Sequence, residues 1–398
     1  MKIAQINMVE YGSTGRIMLQ ISECARKNGN QVITFSKKWR NQRKNIPDHT
    51  YFGYFLENAC HLLFANIFSF NGSFSHLGTR QLLRKIEKFQ PDIIHLHNLH
   101  NYCVNLPMLF NYIKKHKVPV VWTLHDCWAF TGQCPCFTMV KCEKWKDGCH
   151  HCMQIHSYPS SLLDMTKPMW YLKKKWFTGV NKMIIVTPSD WLANLVKESF
   201  LKDYPVHVIN NGINLGVFKP TTSSFREKHG IKDDQYLILG VAYSWGKRKG
   251  LDVFIELSKR LSREYQIVLV GTDDTIDKQL PEHIITIHRT RSQVELAEIY
   301  TAADLFVNPT REDNYPTVNM ESLACGTPVL TFNTGGCSEI LDETCGSVVE
   351  CDDIDGMIRE IIRICNEKPF SIDACLKRSK RFDMNDRFSE YLHLYDEL

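Results

Sequence analysis

The sequence predicts an α/β fold: two parallel-sheet domains facing each other, closed by a C-terminal helix that returns to the first. Three observations carry this. Nearly continuous β-branched runs alternate with helix-length segments, the pattern of strands buried on both faces and joined by crossovers. The pattern breaks at KDYPVHVINNGINLGVFKP (202–220) and then restarts. Charge reverses at the same place. Through Asp203 there are 26 Lys and Arg against 13 Asp and Glu, a balance of +13; beyond it there are 22 against 31, a balance of −9. Such asymmetry suggests domains with different partners, the first turned toward something anionic.

The elements follow in order. KIAQIN (2–7) is a strand, a helix starts near Thr14, and QVITF (31–35), DIIHLH (92–97), VPVVWTL (118–124) and MIIVTP (183–188) continue the first sheet. After the linker come QYLILGV, QIVLVG, IITIH, DLFVNP, PVLTF and GSVVE, again spaced by helical stretches. Phe382, Phe388, Tyr391, Leu392 and Tyr395 recur at helical spacing near the end. The expected domains are 1–204, including a Cys-rich excursion at 127–152, then 205–375, then a returning helix at 376–398.

With 398 residues and 23% charged side chains, a sizeable core is within reach. MKIAQINMVEYG turns polar too early for a secretory signal, and no apolar run reaches the roughly 18 residues of a membrane span. A cytoplasmic location is expected, and nucleic acid is not among the expected partners. Reduced thiols are the rule there, so clustered cysteines point to a metal or to free thiols before disulfides.

Open α/β sheets bind ligands at the carboxyl ends of their strands, so the chemistry is sought in those loops. In EYGSTGR (10–16), Gly12 and Gly15 permit close backbone approach ahead of a helix N-terminus that favours anions, although a plain tight turn reads equally well. SWGKRKGLD (244–252) places Lys247, Arg248 and Lys249 at a helix start, and Asp313 and Glu321 stand eight apart in FVNPTREDNYPTVNMESLACGTPVLTFNTGGCSEI (306–340). An acidic pair at that spacing is by itself nearly uninformative, since such pairs commonly sit on solvated helix faces. His125 ends one strand, and His95 and His97 end its neighbour; buried structural histidines are the plain alternative.

The 306–340 block resembles the donor site of the family-four retaining glycosyltransferases: an acidic residue, seven others and a Glu, then Gly-x-Pro-Val and a Gly-Gly-x-x-Glu turn. Gly326, Pro328, Gly335, Gly336 and Glu339 fall in place. Asp313-Asn314-Tyr315-Pro316, where most members carry Glu and Gly-Phe-Gly, resembles the colanic-acid-type branch, as do GSTGR (12–16), TLHDCWAFTG (123–132), NNGIN (210–214) and RKGLD (248–252). The resemblance implies two facing Rossmann-like domains, the GT-B architecture. It implies transfer of a sugar from a nucleotide-diphosphate sugar to a glycan or lipid-diphosphate-linked acceptor, as a step of bacterial surface polysaccharide assembly, with no metal cofactor in catalysis.

In that frame a helix starting near Pro316 points N–H groups at the diphosphate, with Gly15, Arg16, Arg248, Asn314, Tyr315 and Thr317 around the donor. Asp313 faces charge developing at the anomeric carbon, and Lys249 matches the family's phosphate-binding lysine. Glu321 matches the ribose-binding position, His125 a cleft histidine beside the sugar, and His95 and His97 border the acceptor. The family's companion arginine, expected near Tyr243 or Ser244, is missing, with Arg248 or Arg16 as substitutes. Other readings are an epimerase or phosphorylase of the same architecture, or an inactive partner subunit.

Two features remain. Lys37, Lys38, Trp39, Arg40, Arg43 and Lys44, then Lys114, Lys115 and Lys117, then Lys173, Lys174, Lys175 and Trp176 form basic clusters, and between the first two lies the apolar, aromatic YFGYFLENACHLLFANIFSF (51–70). That composition suits an interfacial segment in peripheral association with an anionic membrane, or an acceptor groove, or else a solvated basic face over a core helix. In the excursion, Cys134, Cys142, Cys149 and Cys152 have spacings of seven, six and two that suit a structural zinc scaffolding His125, with free thiols and disulfides as alternatives.

Overall fold

The structure, a computed structural model, describes residues 1–38 and 46–398, so Trp39, Arg40, Arg43 and Lys44 lie outside the described residues. The chain divides into two units, Met1–Asn210 with Arg387–Leu398, and Asn211–Asp386.

The first unit is built on β1 (Lys2–Ile6), β2 (Gln31–Lys37), β3 (His49–Phe52), β4 (Ile93–Leu96), β5 (Val120–Thr123), β6 (Met183–Thr187) and β7 (Val206–Val208), in the order β3-β2-β1-β4-β5-β6-β7. Each neighbouring pair is parallel. β4, β5 and β6 are buried at every position, which is why their sequences show no polar alternation. β3 and β7 were not foreseen; they are the short edge strands, partly exposed and without long apolar runs.

The second unit carries β8 (Tyr236–Val241), β9 (Tyr265–Val270), β10 (Ile285–Ile287), β11 (Leu305–Asn308), β12 (Val329–Phe332) and β13 (Gly346–Val349), ordered β10-β9-β8-β11-β12-β13 and again parallel. Leu237, Leu239, Val268 and Val270 fill one core, while the intervening Ile238, Ile267 and Leu269 fill the other. The strand period of two thus feeds a separate core on each face. Strand order reverses beside β1 in one sheet and beside β8 in the other, and ligands of doubly wound sheets bind at such switch points.

Both expected boundaries move. The first unit runs to Asn210 rather than 204, because β7 pairs with β6, Ile209 N donates to Thr187 O at 3.0 Å, and the Asn210 side chain holds Pro188 O at 2.8 Å. The returning segment is shorter than 376–398. Helix Ile372–Ser379 and the turn Lys380–Phe382 belong to the second unit, whose core contains Cys375 and Phe382, and only Arg387–Leu398 rejoins the first. Asp383, at ψ 121°, breaks the helix between them. The final helix, Met384–Asp396, buries Phe388, Tyr391, Leu394 and Tyr395. Leu394 takes the inward place expected for Leu392.

Candidate functional site

In the second unit, β8 runs into a loop that ends in the turn Lys247–Lys249, and Gly250 follows at φ +75°. A Cβ on Gly250 would stand 2.4 Å from Pro309 O, so the lysine turn lies directly against the loop leaving β11. Lys249 Nζ forms an ion pair with the Asp313 carboxylate, both side chains largely buried. Arg248 Nη1 donates to Glu312 O at 3.2 Å, and Asp313 Oδ1 accepts the Asn314 N–H at 3.0 Å. Gly335 holds the far side of this loop: at φ +55°, a Cβ there would overlap Asp313 O, so the Gly-Gly turn after β12 is packed onto the acidic residue.

Pro316 is the cap of helix Thr317–Ala324 rather than its first residue, one position from expectation, and Tyr315 is buried with its carbonyl accepting from Asn211 Nδ2 at 3.3 Å. Glu321 sits in the buried second turn of that helix, where its carboxylate accepts from Tyr300 Oη at 3.3 Å. Burial, reinforced by the Glu321 charge, drives the Tyr300 phenol well above its usual pKa, so it stays a donor to that carboxylate.

Two residues of this unit were missed from sequence. Arg311 is buried and bidentate to Asp252 at 2.8 and 2.8 Å, with Nε on Asp352 at 2.7 Å and a further bond to Lys247 O. It braces the lysine turn and is not available as the missing arginine. Arg289 stands 5.8 Å from the ring of Tyr243, a position where that arginine was expected. A TRE tripeptide and an HRT tripeptide carry no signal for either role; only the fold brings Arg311 to the turn and Arg289 to Tyr243.

In the first unit, Gly15 belongs to the first turn of helix Gly12–Lys27, and a Cβ there would meet Glu10 C at 2.5 Å. Arg16 is exposed on the same turn. Asn7, also missed, joins the ends of β1 and β4: its Nδ2 donates to Val9 O at 2.7 Å and its Oδ1 accepts from Asn98 N at 3.0 Å.

The three histidines form a stack, with ring centroids of His95 and His97 4.2 Å apart and of His97 and His125 5.5 Å apart. His97 Nε2 meets Gln5 Oε1 at 3.2 Å. On its other side, His97 Nδ1 and His125 Nε2 are hydrogen-bonded at 3.2 Å. That contact ties His125 to the histidine stack. Burial lowers His125 to about 4, with His100 adding to the effect and Asp126 opposing it, so the ring is neutral at pH 7.

His95 departs from the acceptor role. It is fully buried, with Nδ1 on Tyr395 Oη at 2.6 Å and Nε2 on Thr123 Oγ1 at 2.8 Å, and burial lowers it to about 3. It anchors the returning helix. His97, equally buried, orients His125 and presents no edge to an acceptor.

The excursion behind His125 brings its cysteines together: Cys134 lies near Cys127, Cys149 and Cys152, and Cys149 lies near Cys142 and Cys152. Cys134 and Cys152 are hydrogen-bonded to each other, Cys149 Sγ accepts the Gly132 N–H at 3.1 Å, and Cys142 packs at the edge of the core. Among the described residues, however, no three His, Cys, Asp or Glu are placed to hold a metal ion. No disulfide joins the cysteines either. The loop also has a core of its own. Phe130, Phe137 and Trp145 pack at 5.1 to 6.5 Å between centroids, and Trp170 Nε1 donates to Trp145 O at 2.8 Å. Fully buried Lys173 clamps the start of the loop through Trp128 O at 2.5 Å and Thr131 O at 2.9 Å.

Two doubly wound sheets, with a lysine turn and an acidic helix start joined at the switch point of the second, define a GT-B glycosyltransferase fold. Residues 14–217 match the family model described as Glycosyltransferase Family 4, and residues 221–386 match that of Glycosyl transferases group 1. The chain belongs to glycosyltransferase family 4. It is 27% identical over 281 residues to the putative colanic acid biosynthesis glycosyl transferase WcaC of Escherichia coli K12, covering 66% of this chain and 65% of that one. It is 30% identical over 148 residues to the lipopolysaccharide glucosyltransferase WaaG of the same strain, covering 35% and 39%. Among solved structures, sucrose-phosphate synthase from Thermosynechococcus elongatus superposes with a TM-score of 0.73 at 17% identity, over 100% and 98% of the two chains. Anabaena HepE in complex with UDP gives 0.70 at 14% identity, over the whole of both.

Proposed function

We propose that the protein transfers a sugar from a nucleotide-diphosphate sugar, with retention of anomeric configuration, to a glycan or lipid-diphosphate-linked acceptor of bacterial surface polysaccharide assembly at the inner face of the membrane. The observation that carries this reading is the Lys249–Asp313 pair, set at the carboxyl ends of β8 and β11 where the strand order reverses. The Anabaena HepE complexes with UDP and UDP-glucose support a donor of this class.

A departing diphosphate gathers negative charge, and Lys249, with Arg248 beside it, supplies preorganised positive charge at that point. Asp313 supplies negative charge to an oxocarbenium-like centre, and its backbone neighbours Asn314 to Thr317 present the helix start to the phosphates. Glu321, kept in place by Tyr300, offers carboxylate oxygens to ribose hydroxyls. Arg311 acts through the lysine turn and is a positioning residue.

The test is to incubate the purified protein with UDP, GDP and TDP sugars and follow slow donor hydrolysis. Release of nucleoside diphosphate with retained sugar configuration supports transfer. Epimerised donor, phosphorolysis only, or no reaction with any donor overturns it.

A further inference from the structure

The helix Phe55–Phe68 is inside out. Its inward residues are Asn58, His61 and Ala65, and the two polar ones are fixed by the fold. Asn58 Nδ2 donates to Lys38 O at 2.7 Å, His61 Nδ1 meets Ser75 Oγ at 2.6 Å, and His61 Nε2 accepts from Gly72 N at 3.3 Å. Its outward residues are large and apolar: Leu56 is 76% exposed, Leu63 57%, Phe64 42% and Phe68 37%. A surface helix of a globular protein normally shows the reverse.

The patch extends beyond the helix. Leu162 and Leu163, also exposed, donate their N–H groups to Asn66 O at 2.7 Å and Ile67 O at 2.9 Å, so they lie against its last turn. The next helix, His76–Phe89, begins on Glu57, whose carboxylate accepts from Leu77 N and Gly78 N at 2.6 and 2.8 Å. That helix carries exposed Leu77, Arg80, Arg84 and Lys88 three and four apart, hence on one face. Contiguous apolar surface of this extent marks a docking site.

We propose that the Phe55–Phe68 helix, with Leu162 and Leu163, docks into the headgroup region of an anionic lipid bilayer while Arg80, Arg84 and Lys88 meet lipid phosphates. Charge complementarity selects this occupant. In a two-fold pairing of copies the same surface meets itself, which would bring the cationic stripes toward each other. An anionic bilayer offers apolar depth and negative charge together, the combination an interfacial helix uses. No helix among the described residues is long and apolar enough to cross the membrane, so the contact is with its surface. The proposal deepens the transfer reading, on which it rests for a reason to be at a membrane: a lipid-linked acceptor would be presented there.

The experiment is sedimentation of the full chain with phosphatidylcholine vesicles, with and without phosphatidylglycerol. Wild type should partition to the anionic vesicles. Leu63→Glu combined with Phe64→Glu should weaken partitioning about tenfold or more, and Arg80→Glu combined with Arg84→Glu should remove the preference for anionic lipid. Circular dichroism and melting temperature confirm that the variants fold. Hydrolysis of soluble donor without vesicles should be unchanged in them. Vesicle binding without donor hydrolysis in any form would sink the transfer reading and leave the docking intact. Absence of wild-type binding, equal binding by the variants, or a vesicle-indifferent dimer that Leu63→Glu with Phe64→Glu dissociates would overturn the docking.

Discussion

Lys249 and Asp313 are 64 positions apart in sequence and one ion pair in the fold. Lys249→Ala should lower the transfer rate about a hundredfold, the scale for losing one preorganised charge-stabilising group, with the melting temperature little changed. Asp313→Asn should reduce the rate far more than it weakens donor binding, since its charge matters most in the transition state; equal losses by kinetics and calorimetry would make it a binding residue only. Acid stability follows from the buried rings. Burial lowers His49 and His125 to about 4, His61 and His95 to about 3, and His97 as well. Their unfolded values are about 6.5, so the unfolded chain takes up protons first, and stability present above about pH 6.5 is lost progressively toward pH 4. Buried Lys173, at about 7, and Lys37, at about 8, extend the rise gently above neutrality. Denaturant midpoints at pH 8, 6.5 and 5 should therefore fall in that order, and a midpoint independent of pH would show that these rings are solvated. At this scale Lys249, Asp313 and Glu321 were singled out because each falls inside a short family-like block, although neither block showed that Lys249 and Asp313 pair. Gln5, Asn7 and Arg311 stayed hidden because their partners are 59 to 92 positions away.

Among the elements, the buried strands were legible because burial on both faces leaves an unbroken apolar run, whereas β3 and β7 at the edge leave none. The 51–70 stretch showed its apolar character but not its orientation, which depends on Lys38, Gly72 and Ser75 accepting or supplying the inward hydrogen bonds. The cysteine excursion was half legible. Cysteine spacing suggested a metal, while Phe130, Phe137 and Trp145, scattered among Gly and Lys, gave no periodic sign of the core they form. Trp145→Ala should destabilise this loop by about 3 to 5 kcal/mol, the usual cost of emptying a buried aromatic site. Dialysis against a chelator separates the two accounts of the loop. If aromatic packing and the Lys173 clamp hold it, the melting temperature stays where it was; a fall on chelation would return Cys134, Cys142, Cys149 and Cys152 to the role of zinc ligands.

Across the whole molecule, the two-sheet plan and the charge division were readable together, because both are sums over many residues and tolerate errors at any one. With the observed division, the first unit holds 27 Lys and Arg against 16 Asp and Glu, +11, and the second 21 against 28, −7. The returning helix, which is acidic, joins the basic unit without changing its sign. A nucleotide-diphosphate donor is anionic, yet apart from Gly15 and Arg16 the candidate donor residues lie in the unit of negative balance, so its capture would depend on Lys249, Arg248 and helix-start N–H groups acting at short range. A lipid-diphosphate acceptor would meet the unit whose summed field attracts it from a distance. Salt screens the second kind of interaction far more than the first, since the Debye length falls from about 10 Å at 0.1 M to about 3 Å at 1 M. Raising sodium chloride from about 0.1 to about 0.5 M should therefore increase the KM for an anionic acceptor several-fold while moving the donor KM much less. The measurement is steady-state transfer to a water-soluble diphosphate-linked acceptor, which keeps vesicle binding out of the comparison. A donor KM that rises as steeply as the acceptor KM would mean that the charge of the two units does not divide the substrates between them.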